Sequence, residues 1–196
     1  RPSSRPDAAM LKLGLAIVTG LLGAALLHFI IILSLPYFSE KDAYTRVLAE
    51  GERHSFHRLP DIRDRAGLVQ DDPFVELSVC AYDISQGPIR IYARGDVPFW
   101  SLGIYDAGSN EVFSINDRTA SNGVLDVVLA TPVQLTLLRK ALPEPISEAI
   151  LVETQQADGY MVLRTMVPQR SFNAAATEFL SQAVCAPFDW RPRQQF

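Results

Sequence analysis

The sequence predicts an α+β protein: a single N-terminal transmembrane helix followed by an antiparallel-sheet domain with two or three helices. Three observations carry this reading. A run without any charge extends from Leu13 to Leu35, period-two alternation begins at Phe74, and an apolar stripe of helical period lies near the end, from Phe172.

Within Leu13 to Leu35 only Thr19, His28 and Ser34 are polar. At helical rise the run is roughly 35 Å long, enough to cross a hydrocarbon core of about 30 Å. It is too long for the apolar part of a cleaved signal, and Pro36, Tyr37 and Phe38 read as an interfacial stop instead of a small-x-small cleavage site. Arg1, Arg5 and Lys12 oppose one acid, Asp7, before the helix, whereas Glu40, Lys41 and Asp42 follow it; this favours the N-terminus inside and the domain outside. Residues 1–12 are then a cytoplasmic tail, 13–35 the membrane helix, 36–73 a juxtamembrane helix and linker, and 74–196 the folded domain.

Ser39 with Asp42 three positions on resembles a helix start, and Gly51 a stop, bracketing a short helix over Ala43 to Glu50. The charged segment from Glu52 to Pro73 reads as linker. From there Val75, Leu77, Val79 and Ala81 alternate with Glu76, Ser78, Cys80 and Tyr82, predicting a half-buried strand. Ile89, Ile91 and Ala93 form the next, and Trp100, Leu102 and Ile104 share a parity that makes Trp100, with Phe99, core instead of binding platform. Glu111 to Ile115 follows after a turn, and the short connections predict a meander. After the polar loop Asn116 to Gly123 and a strand from Val124 to Ala130, Thr131-Pro132 suits a helix start. Residues 133–142 fit helix or strand, with Pro143 and Pro145 ending the segment. Ala157-Asp158-Gly159 predicts a hairpin between Ile150 to Thr154 and Tyr160 to Met166. Ser171 is placed as the cap of the closing helix, whose stripe is Phe172, Ala175, Ala176, Phe179, Leu180 and Ala183, and the tail from Ala186 is expected to run along the surface.

Cys80 and Cys185 are a disulfide candidate on the oxidising side of a membrane; the alternative is a pair of buried thiols. Closing a loop of about 100 residues contributes roughly 4 to 5 kcal/mol in the chain-entropy description.

The words Cys80-Ala81-Tyr82-Asp83, then Pro98-Phe99-Trp100-Ser101-Leu102-Gly103-Ile104-Tyr105-Asp106, then Val112-Phe113-Ser114-Ile115-Asn116-Asp117-Arg118 resemble a family of short, membrane-anchored bacterial proteins. The family is filed as a domain of unknown function, the twelve-fifty-four type, with a related twelve-fourteen type. Gly159 to Arg164 and the closing helix with Cys185 fit the same pattern, so the resemblance covers roughly residues 70 to 190. It implies a Gram-negative inner-membrane protein facing the periplasm, and it supplies no catalytic residues to carry over.

Three groups of residues invite a functional reading. Ala16, Gly20, Ala24 and His28 recur every four residues and stack on one side of the membrane helix, where small side chains admit a second helix. An intramembrane histidine is itself a functional hypothesis; the plain reading is a neutral ring bonded to a carbonyl or interfacial water. His54 and His57 form a His-x-x-His pair with no third ligand specified, inside a charge-rich linker. Asn116, Asp117 and Arg118, with Asp83 and Asp106, are a possible partner or ligand surface, against the plainer reading of turn chemistry.

A net charge of −4 without a basic stripe argues against nucleic acid. The sequence contains no Gly-x-Ser-x-Gly, Ser-x-x-Lys, phosphate-loop or Cys-x-x-Cys motif, so no catalytic residue, metal or cofactor is assigned. The expectation is a non-catalytic accessory, assembly or stabilising subunit of an inner-membrane complex, in contact with the lipid bilayer. A ligand-binding module for an envelope lipid or glycan is the alternative, and an envelope hydrolase ranks below it.

Overall fold

A computed structural model describes residues 6–62, 66–140 and 146–189. The elements are α1 (Pro6–Glu50), β1 (His57–Arg58), β2 (Val75–Asp83), β3 (Ile89–Ala93), β4 (Trp100–Asp106), β5 (Glu111–Asn116), β6 (Leu125–Ala130), α2 (Pro132–Lys140), β7 (Ile150–Glu153), β8 (Asp158–Met166), α3 (Asn173–Gln182) and β9 (Val184–Pro187). The chain divides into one unit up to Glu40 and a second from Lys41 onward.

In the first unit, Ala9–Leu35 is 27 residues of helix with mean hydropathy 2.5, long and apolar enough to cross a bilayer, and none of it is buried. Its hydroxyls turn back on the helix: Thr19 donates to the Leu15 carbonyl at 2.8 Å and Ser34 to that of Ile31 at 2.9 Å. α1 begins at Pro6, inside the segment expected to be tail, while residues 1–5 lie outside the described set. No second helix starts at Ser39. α1 passes Pro36 and ends at Glu50, immediately before Gly51. A proline costs a helix one hydrogen bond, whereas a break would leave the unpaired backbone groups of two new ends.

In the second unit the described strands form two sheets, one ordered β1-β2-β8-β4-β5 and the other β7-β6-β3-β9. The expected meander is therefore absent. Among the described strands, β1 with β2 and β4 with β5 are the pairs both consecutive in sequence and hydrogen-bonded antiparallel. The connections between β2, β3 and β4 are short because the chain steps across from sheet to sheet, a gap of about 10 Å. Likewise β7 and β8 do not pair. Asp158 and Gly159 lie inside β8, where Tyr82 and Asp106 face Gly159 across the two neighbouring strands. A Cβ on Gly159 would collide with the Tyr105 carbonyl oxygen and the Tyr82 hydroxyl, so close approach, not a turn, requires glycine there.

α2 settles residues 132–140 as helix; Pro143 and Pro145 lie outside the described residues. Its start is a capping box: the Gln134 amide N–H donates to the Thr131 hydroxyl at 3.4 Å, and the Thr131 N–H to Gln134 Oε1 at 3.0 Å. Leu135 and Leu138 bury against Val128, Ala130 and Ile146. α2 is the crossover that lets β6 and β7 run parallel in an otherwise antiparallel fold.

One core lies between the sheets. It takes Ile89 and Ile91 from β3, Leu102 and Ile104 from β4, Leu125, Val127 and Leu129 from β6, and Met161 and Leu163 from β8. Each such side chain, fully buried, contributes about 1.5 to 3 kcal/mol of transfer free energy. α3 closes one side with Phe179 and Leu180, and the Phe179 ring stacks on buried Trp100 at 6.4 Å. Trp100 is core as expected, and its indole N–H donates to the Gly123 carbonyl at 3.1 Å; Phe99 is half-buried. Ser171 does not cap α3. It sits in a 3-10 turn, Arg170–Phe172, and the helix begins at Asn173 with no side-chain cap.

The Cys80–Cys185 disulfide is present and buried. It joins β2 of one sheet to β9 of the other. That placement revises the expected surface tail, because Val184–Pro187 hydrogen-bonds to β3 with Cys185 opposite Ile91.

β2 is buried on both faces instead of one. Cys80 and Tyr82 point into the inter-sheet core, while Val79 and Ala81 pack beneath Tyr44, Val47 and Leu48 of α1 and against Leu59. The segment from Glu52 is accordingly more than a linker. His57 and Arg58 pair with Val79 and Ser78, and Leu59 and Ala66 are buried.

Candidate functional site

Polar or small residues collect at several places on the described surface. On α1, Ala16, Gly20, Ala24 and His28 are all exposed. Apart from the helix's own backbone, no described atom lies within 4 Å of where a Gly20 Cβ would stand, so this face accepts a close neighbour.

The second place is a cleft of about 490 Å³ beside the end of β2, lined by His54, Asp83, Pro88, Ile89, Pro187 and Phe188 among others. His54 has left-handed backbone (φ 62°), and its N–H donates to the Ala81 carbonyl at 2.9 Å. The Asp83 N–H donates to His54 Nε2 at 3.1 Å. The Asp83 carboxylate accepts the Ser85 N–H at 2.8 Å, and hydrogen bonding to Ser85 holds its pKa below the usual range. His57 is tied elsewhere, its Nε2 lying 2.8 Å from the Glu52 carbonyl. The two rings therefore serve different backbone groups and do not converge, and among the described residues no cluster of three metal-ligating side chains occurs.

The residues expected as one polar surface separate into two ends of the larger sheet. Asp83 faces Asp158 and Asp106 faces Gly159, which puts both beside the start of β8. Asn116 pairs with Ser101 at the opposite end of β4. Asp106 is 8% exposed and holds its own turn, accepting the Asn110 N–H at 2.9 Å and the Asn110 side-chain amide at 3.0 Å. Asn116 Oδ1 accepts the N–H groups of Arg118 and Thr119 at 3.0 and 3.2 Å, which is Asx-turn chemistry. Arg118 is exposed, and Asp117 Oδ1 is buried with no hydrogen-bond partner among the described residues.

Two features escaped sequence reasoning. The first is a tyrosine group near Asp158. Tyr44 donates to Asp158 Oδ1 at 3.3 Å, Tyr82 donates to the Tyr105 carbonyl at 3.0 Å, and the Tyr105 and Tyr160 rings stack at 5.1 Å. Burial raises the Tyr82 hydroxyl far above its ordinary value, with the charge of Asp106 adding to the effect. These residues come from distant parts of the chain, and no local spacing announces them.

The second is a groove of about 370 Å³ on the outer face of β4, β5 and β8, lined by Ser101, Gly103, Tyr105, Ser114, Asn116 and Arg164 among others. Its signal was the small and polar parity of β4 and β5, opposite the parity that supplies the core.

A membrane-length helix followed by a two-sheet α+β domain defines the class. The chain belongs to the family described as "Protein of unknown function (DUF1254)", which matches residues 58–187. The fold is similar to that of the VPA0106 protein from Vibrio parahaemolyticus, at 13% identity over 64% of this chain with a TM-score of 0.47. It is also similar to an uncharacterized protein from Burkholderia cenocepacia, at 15% identity over 81% of this chain with a TM-score of 0.46. The chain spans 32% and 44% of the length of those two proteins. No curated protein matches it.

Proposed function

We propose that this protein is a non-catalytic accessory or assembly subunit of an inner-membrane complex, anchored by α1 with its domain in the periplasm. The observation that carries this reading is the exposed Ala16, Gly20, Ala24 and His28 face, where Gly20 leaves open space at the helix surface. In lipid, association gains little from hydrophobicity and depends on close packing and interhelical hydrogen bonds, which small residues and a histidine supply. The periplasmic assignment draws on the disulfide, which needs an oxidising compartment, and on the basic residues before the helix. The non-catalytic assignment draws on the work its polar groups already do. His54 is engaged with the Asp83 backbone, Asp106 with the Asn110 turn and Asn116 with its own turn.

The test is purification of the intact protein in mild detergent with quantification of membrane proteins that accompany it. A stoichiometric partner is expected, and Gly20→Leu should lower its recovery severalfold while Leu22→Ala, on the opposite side of the helix, leaves it unchanged. Isolation as a lone monomer, or equal recovery with both variants, would overturn the reading.

A further inference from the structure

We propose that the outer face of β4, β5 and β8 is a binding site for a saccharide ring bearing one carboxylate. This goes beyond the subunit reading and does not depend on it.

Strand register builds the site in rows. Ser101 stands between Asn116 and Arg164, and the next residue on the same face of β4, Gly103, stands between Ser114 and Val162. The following row pairs Tyr105 with Glu111 and Tyr160. Gly103 seats the Tyr105 ring, since a Cβ there would stand 2.8 Å from its hydroxyl and 2.9 Å from a ring carbon. The Tyr105 ring is held against Tyr160 and forms the wall.

The donors of the first two rows are unused among the described residues, and Asn116 is held in place. Asn116 Oδ1 is committed to two backbone N–H groups, which fixes the amide and leaves its NH2 group to donate outward. Arg164 is exposed and makes no hydrogen bond or ion pair among the described residues, and the hydroxyls of Ser101 and Ser114 make no hydrogen bond there either. A guanidinium fork matches a carboxylate bidentately. Neighbouring amide and hydroxyl groups suit the hydroxyls of a pyranose, and a fixed aromatic wall suits its apolar C–H face. Glu111 lines the far end and repels a second anion there, so the ligand carries a single carboxylate, directed to Arg164.

The experiment is NMR titration of the full chain in detergent micelles with D-glucuronate, D-glucose and acetate. Glucuronate should bind at least about tenfold more tightly than either competitor, and Arg164→Gln should remove about tenfold of that affinity, the scale of one charge-assisted pair. Shifts should map to Gly103, Tyr105 and Asn116. His54→Ala, in the other cleft, should leave the affinity unchanged. Arg164 is exposed, so an unchanged melting temperature establishes that its variant folds. Gly103→Val, which displaces the Tyr105 ring from its seat, should block binding independently. Equal binding of glucose, acetate as tight as glucuronate, indifference to Arg164→Gln, or no shift at saturating glucuronate would each overturn the proposal.

Discussion

Strands β2 and β4 lie in the same sheet, separated only by β8, and both alternate, yet the protein uses them differently. β2 is covered twice, by the inter-sheet core on one face and by the last turns of α1 on the other. β4 is covered once. Trp100, Leu102 and Ile104 face the core, whereas Ser101, Gly103 and Tyr105 face the groove. One half of the sheet is thus scaffold and the other half presents a surface. The difference lies in where α1 comes to rest, since the residues that cover Val79 and Ala81 belong to a helix far away in sequence.

The largest expected effect tests the covered half. Replacing both Cys80 and Cys185 with alanine unties β2 from β9 and should cost about 2 to 5 kcal/mol, measured by chemical denaturation in detergent. A cost below about 1 kcal/mol would mean that packing alone holds the sheets together.

Glycines separate the two halves next. Gly159→Ala drives a methyl group into the Tyr105 carbonyl and the Tyr82 hydroxyl, and should destabilise by about 1 to 3 kcal/mol. Gly103→Ala presses a methyl group on the Tyr105 ring but on no backbone atom, and should cost less, about 1 kcal/mol or below. Equal costs in the same denaturation assay would erase the distinction between a covered and an open half.

The smallest effect concerns pH. Glu76 of β2 is 7% exposed, and burial raises its carboxyl above the usual range although Arg58 at 3.1 Å pulls it back. An acid raised in the folded state holds its proton longer there. Its contribution is complete below the unfolded value of roughly 4.3 and is lost as pH rises through the folded value. Relative to Glu76→Gln, wild type should therefore lose stability as pH increases across that window, read as melting temperature against pH. A flat difference would place Glu76 in water and loosen the covered half, and one that grows with pH would mean that the Arg58 charge outweighs burial.

Whatever local chemistry can specify is readable along the chain. The membrane-length helix follows from a run with no charge, the core parities of β3 and β4 from their alternation, and the start of α2 from Thr131-Pro132. The disulfide was legible because only two cysteines exist to pair. Tertiary structure alone decided sheet membership. A short loop serves a hairpin and a step between sheets equally well, so β2, β3 and β4 alternate between layers where a meander was expected, and Asp158-Gly159 lies within β8 instead of turning the chain. It also decided which polar residues meet. Asp83 and Asp106 part from Asn116 because register, a long-range property, sends them to opposite ends of the sheet, while Arg164 joins Asn116 across the one strand between them, β4. Side-chain periodicity is written residue by residue, but the cover over a strand is supplied by whatever distant segment packs there. Tyr44 reaching Asp158 across 114 residues is the contact that no window of sequence contains.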